Sequence, residues 1–546
     1  MSVIPEDYLP PFDYLPKKIY RLPELQVPQK VDIVDLTIDR HIRAGLGDKV
    51  LLYFREQKIT YSDMQQRINR LANALKGLGI GRNDRVMLRS PNNPEIFLAN
   101  FACWRIGAIP VPSQHLLRAD EIAFRANDSE ARALIVSSDT FSDVRDCLDR
   151  RLFKSVEEII VCGTKIEGFR FYDDLVKDQP IDVTTEETGR DDWASLIYSS
   201  GTTGIPKGIL ATAGDVINRN EMNSRHINRL KPDDVVGGHP ALGFAFGQSL
   251  LSFPAFNGCS VSLVDRFTPE IMFETVEKHK ITLLLCVPTA FRMMLGVKDA
   301  EKKYDLSSLR LCQSAGEALP GDTAREWRKR FGVPILDSVG CGELAYWLST
   351  TETTPDDKLD SSGKPIPGVE VRLVDNSFKV VPKGAEGEML VSGPLGTQYW
   401  RRPDKQKVAV VDGWSRTGLI YREDEDGYFW YQGRDDDMIV SSGYKIPPEE
   451  VELALARHPS VQESAVVDAL DPVRGTIVKA FIVLKPGYSG SDALADEIKN
   501  FVKEKIEMYK YPREIEFITQ KEMPRGITGK IQRFALRNRE KEKSKK

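Results

Sequence analysis

Apolar positions recur along the first part of the chain in alternating helical and strand periods. Met64, Ile68, Leu71 and Leu75 share one face of a 3.6-residue repeat and predict a helix, opened by Ser62 in capping-box spacing with Gln65 and closed by Gly77. A strand is predicted at 84–88, then a helix from Pro94 to Gly107 carrying Ile96, Phe97, Ala99, Cys103 and Trp104, then a strand at 108–111. The alternation continues through strands at 133–136, 158–161 and 260–264. Residues 282–287 are almost continuously apolar, as a strand covered on both faces requires. Past residue 365 the strands shorten (369–374, 388–392, 428–431, 438–440) and Gly- and Asp-rich turns separate them. From residue 437 a separate plan begins: a helix at 448–457, strands near 461–467 and 479–484, and a helix at 492–507. The fold class expected is α/β, with a large N-terminal body of covered β-sheets and helices, built of subdomains, over 1–434. A small α+β C-terminal domain covers 435–546, and the boundary falls in the polar run Gly433-Arg434-Asp435-Asp436-Asp437. The charged tail 537–546 reads as a fraying helix end.

Composition narrows the function classes. Of 546 residues 41% are hydrophobic, enough for a large core, and a formal charge of −4 gives no bulk electrostatics for nucleic acid. The seven cysteines, at 103, 147, 162, 259, 286, 312 and 341, include no C-x-x-C pair, and the six histidines form no cluster beside them. Zinc and redox motifs are therefore absent, and buried, reduced thiols in a cytoplasmic protein are expected. Acids and prolines stand at the N-terminus where a signal peptide needs basic and then apolar residues. The apolar run 281–291 is too short for a bilayer and contains Pro288, so no membrane partner is expected either.

Two glycine-rich loops are candidates for phosphate. Gly77-Leu78-Gly79-Ile80-Gly81 has its third glycine one place early for a dinucleotide fingerprint and ends a helix instead of opening one, so it reads as a C-cap and turn. Ser199-Ser200-Gly201-Thr202-Thr203-Gly204-Ile205-Pro206-Lys207-Gly208 follows an apolar strand at 194–198. It is no Walker A loop, because Pro206 stands before the lysine. Its small residues nevertheless let backbone N–H groups approach an anion, its hydroxyls add donors and Lys207 adds charge.

That loop resembles the signature of the adenylate-forming superfamily: acyl-CoA synthetases, adenylation domains and beetle luciferases. Ala315-Gly316-Glu317-Ala318-Leu319, Gly340-Cys341-Gly342-Glu343, Gly413-Trp414-Ser415-Arg416-Thr417-Gly418, Gly433-Arg434-Asp435-Asp436-Asp437 and Pro524-Arg525-Gly526-Ile527-Thr528-Gly529-Lys530 agree in order and spacing. The leader Leu9-Pro10-Pro11, Arg89-Ser90-Pro91-Asn92-Asn93-Pro94 and Phe244-Ala245-Phe246-Gly247 are most similar to benzoate- and 2-aminobenzoate-CoA ligases. The resemblance implies attack of a carboxylate on the α-phosphorus of ATP, then displacement of AMP by the thiol of coenzyme A. Short- or branched-chain acids remain an alternative substrate class, and a homologue impaired in turnover a further alternative. The same resemblance implies roles residue by residue. Lys530, Glu343 and Thr202 would be catalytic, with Glu343 holding Mg²⁺. Ser199, Ser200, Gly201, Thr203, Gly204, Lys207, Gly316, Glu317, Ala318, Asp337, Gly340 and Arg434 would bind ATP or AMP. Phe244, Ala245, Phe246, Gly247, Pro288 and Ala315 would line an acid pocket suited to a flat or short group. Asp436 would be the hinge of a mobile C-terminal domain, whose Ser442 and Gly443 face coenzyme A. Partners are thus ATP, coenzyme A and a carboxylic acid; a homodimer is left open.

Three positions depart from the family pattern. Leu419 stands where the family has an aspartate for the ribose hydroxyls, Gly342 replaces a threonine before Glu343, and Gly526 replaces a threonine in the lysine loop. His239 lies near the expected acid pocket and is assigned no role.

Overall fold

The computed structural model describes residues 4–199, 206–434, 437–441, 444–471, 475–506, 510–525, 529 and 531–543. The protein is mixed α/β, with a large body and a small C-terminal domain. By compactness it divides into two units. Met1–Ser199, Pro206–Val371 and Val391–Arg416 form the first, and Arg372–Leu390 and Thr417–Lys546 belong to the second.

Two sheets dominate the first unit among the described residues. In one, Ile109–Ser113, Arg85–Arg89, Ala131–Ser137, Glu158–Cys162 and Arg170–Phe171 lie side by side, all parallel. In the other, Val50–Phe54, Ser260–Leu263, Val235–Gly238, Leu283–Cys286, Leu311–Ala315 and Ile335–Cys341 are parallel neighbours in that order. Antiparallel strands Gln57–Thr60 on one side and Ala345–Ser349 with Lys364–Pro365 on the other extend it. Leu283, Leu284, Leu285 and Cys286 are all buried, so the continuously apolar run is a central strand covered on both faces. Trp193–Ser199 and Lys207–Thr212 form a separate antiparallel pair.

The helix predicted over the Met64–Leu75 face spans Tyr61–Gly77, but its capping box lies two residues earlier than expected: Thr60 Oγ1 accepts from Asp63 N at 3.1 Å and Asp63 Oδ2 accepts from Thr60 N at 3.3 Å. The next helix, Pro94–Arg105, is capped by Asn93, whose Oδ1 accepts from Ile96 N at 2.8 Å. All seven cysteines are free, six of them buried.

In the second unit Val461–Asp471, Gly475–Leu484 and Glu514–Phe517 make a sheet packed by Pro448–Ala456 and Asp492–Lys503. The charged tail is more firmly held than a fraying end. Helix Arg533–Lys543 places Arg537 on Asp437 at 2.8 Å and Asp468 at 2.7 Å, and Arg533 on Glu452 at 2.6 Å. Glu540 meets the buried Lys479 at 2.9 Å. No helix among the described residues is long and apolar enough to cross a membrane.

Candidate active site

The first unit gathers a lysine, a tyrosine and a glutamate from distant parts of the chain. Residues 398–400 pair with 208–210 in strand fashion: Leu210 N donates to Gln398 O and Trp400 N to Gly208 O, each at 2.9 Å. A Cβ on Gly208 would lie 2.9 Å from Trp400 Cβ and 3.0 Å from Leu196 Cδ1, so glycine is what permits this approach. Tyr399 is thereby set beside Lys207, whose Nζ donates to the Tyr399 hydroxyl at 3.4 Å and lies 4.9 Å from its ring centre. The same hydroxyl donates to Glu343 Oε1 at 3.1 Å. Gln406 fixes the segment, accepting from Tyr399 N and donating to Thr397 O and Tyr14 O, each at 2.9 Å. The proline-rich leader joins in, since Arg401 N donates to Tyr8 O and the Tyr8 ring lies edge-on to Trp400 at 5.3 Å.

The carboxyl ends of the parallel strands supply the next wall, where open α/β sheets bind ligands. Ala315 ends its strand opposite Ser338, and Ser314 pairs with Asp337. Gly316 follows at φ +91°, a conformation that favours glycine, with Glu317 Oε2 accepting from Thr289 Oγ1 at 2.9 Å. Burial pushes the Asp337 carboxyl up to about 8. Among the described residues, Asp337 Oδ1, Ser314 Oγ and Ser199 Oγ are buried without hydrogen-bond partners, a rare state in finished interiors and one that a polar ligand would relieve.

The Phe244–Gly247 segment is pinned by Asn92, whose Nδ2 donates to Pro240 O at 3.1 Å and whose Oδ1 accepts from Leu242 N at 2.8 Å. Backbone crowding requires both flanking glycines: a Cβ on Gly243 would sit 2.6 Å from Ser113 C, and one on Gly247 1.8 Å from Ala241 O. Phe246 meets Tyr346 edge-on, ring centres 6.4 Å apart, and Tyr346 follows Glu343 closely in the chain. Arg219, on helix Ala213–Asn220, donates to Gly342 O at 3.1 Å. His239 is held neutral by burial, its value pulled down to about 4, against Phe267 at 4.6 Å.

Residues 39–400 match the AMP-binding enzyme family, and residues 450–530 match the AMP-binding enzyme C-terminal domain. The chain belongs to the AMP-binding enzyme family. It is 36% identical to the benzoate–CoA ligase of Thauera aromatica, over 94% of this chain and 97% of that one. It is 33% identical to the acetyl-coenzyme A synthetase of Bacillus subtilis, over 92% and 89% respectively. The crystal structure of an anthranilate CoA ligase with anthranoyl-AMP superposes with a TM-score of 0.87 at 34% identity, covering 95% of this chain and 99% of that one. The chain is accordingly an AMP-forming acyl-CoA ligase, and its family's reactions use ATP, Mg²⁺ and coenzyme A.

Among this ligase's expected site residues, Lys207 and Glu343 meet at the Tyr399 hydroxyl, and Asp337 lies on the strand paired with that of Ala315, which Gly316 and Glu317 follow. Arg434 lies in the second unit, paired across two strands with Leu419. Ser200, Gly201, Thr202, Thr203, Gly204, Asp436, Ser442, Gly443, Gly526 and Lys530 lie outside the described residues. No cluster of three His, Cys, Asp or Glu side chains forms among the described residues. Mg²⁺ needs none, since it takes one or two carboxylates and fills its shell with phosphate oxygens and water. Glu343, half-buried and with Oε1 on Tyr399, fits that role; when bound there, Mg²⁺ would screen phosphate charge. Gly342 also gains a reason: a Cβ there would lie 2.8 Å from Ile209 Cδ1, so a threonine would displace that side chain.

Tyr399 and Arg219 are the two groups that motif reading missed. Tyr399→Phe keeps the ring against Lys207 and removes only the hydroxyl between two charges. We expect kcat/KM for ATP to fall about tenfold, within what a hydrogen bond to a charged group contributes, with the Mg²⁺ requirement raised and the melting temperature held. Steady-state pyrophosphate release over a Mg²⁺ titration checks it.

Proposed function

We propose that this ligase activates an aromatic carboxylic acid such as benzoate or 2-aminobenzoate, through an acyl-adenylate, to its coenzyme A thioester. The observation that carries the reading is the Phe246–Tyr346 ring pair, with Phe246 flanked by the small residues Ala245 and Gly247, which suits a flat ring better than a long chain. The similarity to benzoate and anthranilate ligases supports it. Lys207 and the 199–208 loop would hold the phosphates, Glu343 the Mg²⁺, and Asp337 would accept from the adenine amine. Arg434 would reach the ribose and Lys530 would neutralise charge at the α-phosphorus. Residues 435–546 would move about Asp436 between the two half-reactions, presenting Ser442 and Gly443 to coenzyme A. Because charge gathers at phosphorus while two reactants must meet, most of the rate comes from positioning and placed cations.

Pyrophosphate release with a panel of benzoate, 2-aminobenzoate and C3–C8 acids, each dependent on ATP and coenzyme A, tests the reading. Highest kcat/KM for an aromatic acid is expected. Preference for a short or branched acid replaces the substrate class, as the similarity to an acetyl-coenzyme A synthetase allows; no release with any acid overturns the ligase reading itself.

A further inference from the structure

Arg219 is a cation set deep in the first unit with no ion pair among the described residues. Burial pulls its guanidinium below the ordinary value, while the residue as a whole is only half-buried. Its one hydrogen bond among the described residues goes to the Gly342 carbonyl at 3.1 Å, and Nε is buried with no partner. The nearby acids are engaged elsewhere: Asp215 takes Lys18 at 2.7 Å and Glu343 takes Tyr399 at 3.1 Å. Tyr346, Cys341, Asp215 and Glu343 are the titratable groups that act on it, and the Tyr346 ring touches Phe246, a residue expected to line the acid pocket. The Tyr346 hydroxyl lies near Ser249 but makes no hydrogen bond of good geometry. A buried guanidinium whose Nε lacks an acceptor is costly unless one arrives.

We propose that Arg219 is a specificity residue that receives an oxygen acceptor carried by the acid's ring, a hydroxyl or a second carboxylate. This rests on the aromatic-acid reading above and names its substrate more closely. The reacting carboxylate itself is a poorer occupant, since a guanidinium fork would withdraw the electron density needed for attack on phosphorus. An aniline nitrogen is a poorer occupant too, because its lone pair is delocalised into the ring and accepts weakly. Oxygenated acids are therefore favoured over benzoate and over 2-aminobenzoate.

The test compares kcat/KM for 2-, 3- and 4-hydroxybenzoate and the three benzene dicarboxylates against benzoate and 2-aminobenzoate, in wild type, Arg219→Met and Arg219→Lys. One oxygenated isomer should exceed benzoate by about tenfold or more in wild type, the range of a charge-assisted hydrogen bond. Arg219→Met should collapse that ratio, and Arg219→Lys should keep part of it. Calorimetry of the same acids, which needs no turnover, should show the same collapse in binding. Wild-type preference for unsubstituted benzoate overturns the proposal, as does an equal loss for every acid in Arg219→Met, which would place the guanidinium on the reacting carboxylate. In both cases the ligase reading stands. Turnover with no acid at all sinks that reading instead, and calorimetry then decides Arg219 alone; if Arg219→Met does not fold, Arg219→Lys and the wild-type ranking decide it.

Discussion

Lys530→Ala should lower pyrophosphate release by about 10²–10³-fold, the loss seen when one preorganised donor to developing charge is removed. As carboxylate oxygen approaches and pyrophosphate departs, negative charge spreads over the phosphoryl oxygens, and a single placed cation there would stabilise it. The described residues around that position are themselves well held. Arg525 and Ile531 pair in a β-bridge, Arg525 Nη1 donates to Gly529 O at 2.9 Å, and the same guanidinium pairs with Glu463. Gly529 sits at φ +77° with open space around it, a backbone state that a β-substituted residue would strain. Formation of thioester from preformed acyl-adenylate and coenzyme A should fall far less, because no phosphoryl charge develops in that step. A drop of equal size in both half-reactions would assign Lys530 a structural role, and no drop in either would remove it from the chemistry. Lys530→Arg, which keeps charge but not shape, should recover only part of the first step.

Sequence pattern and structure agree where a feature is local. The helix over Met64, Ile68, Leu71 and Leu75 follows from its period, and the 282–287 strand from its unbroken apolarity. The cap was ambiguous because Thr60 and Ser62 each precede a side chain able to cap three residues on, Asp63 and Gln65; geometry, not residue type, chooses Thr60. Glu343 and Lys207 were legible as members of contiguous motifs. Tyr399 was not, for its place depends on residues 398–400 pairing with 208–210, about 190 positions earlier. Only Gly208, a residue with no chemistry of its own, hinted that another backbone comes close there. Arg219 was hidden for a different reason. An arginine on a polar-looking helix reads as solvated, and nothing in the local pattern says that its helix turns that residue inward. The leader shows the same limit: Leu9-Pro10-Pro11 marks kinship, but Tyr8 reaches Trp400, next to Tyr399, only through the fold.

Leu419→Asp should lower KM for ATP by about tenfold or more, since a charge-assisted hydrogen bond contributes roughly 1.5–3 kcal/mol. Leu419 lies in strand Trp414–Glu423, paired with Arg434 on Phe429–Arg434, its N–H donating to Thr417 Oγ1 at 3.1 Å. The backbone that would carry an aspartate is therefore in place; what leucine lacks is the acceptor that an aspartate would offer to the ribose hydroxyls under the proposed function. Its side chain is half-buried, so a carboxylate there keeps part of its hydration and has the Arg434 guanidinium across the strand pair, which limits the stability cost of the change. Leu419→Asn supplies an acceptor without charge and should gain less than the aspartate. The outcome also separates an efficient ligase from one impaired in turnover. A wild type with weak ATP affinity that Leu419→Asp repairs, at little cost in kcat, means that leucine is what weakened nucleotide binding. Tight ATP binding in wild type and no gain on substitution mean that another group already takes the ribose. In that event the family's acceptor has been replaced, and a search for it among the neighbours of Arg434 is the direct consequence.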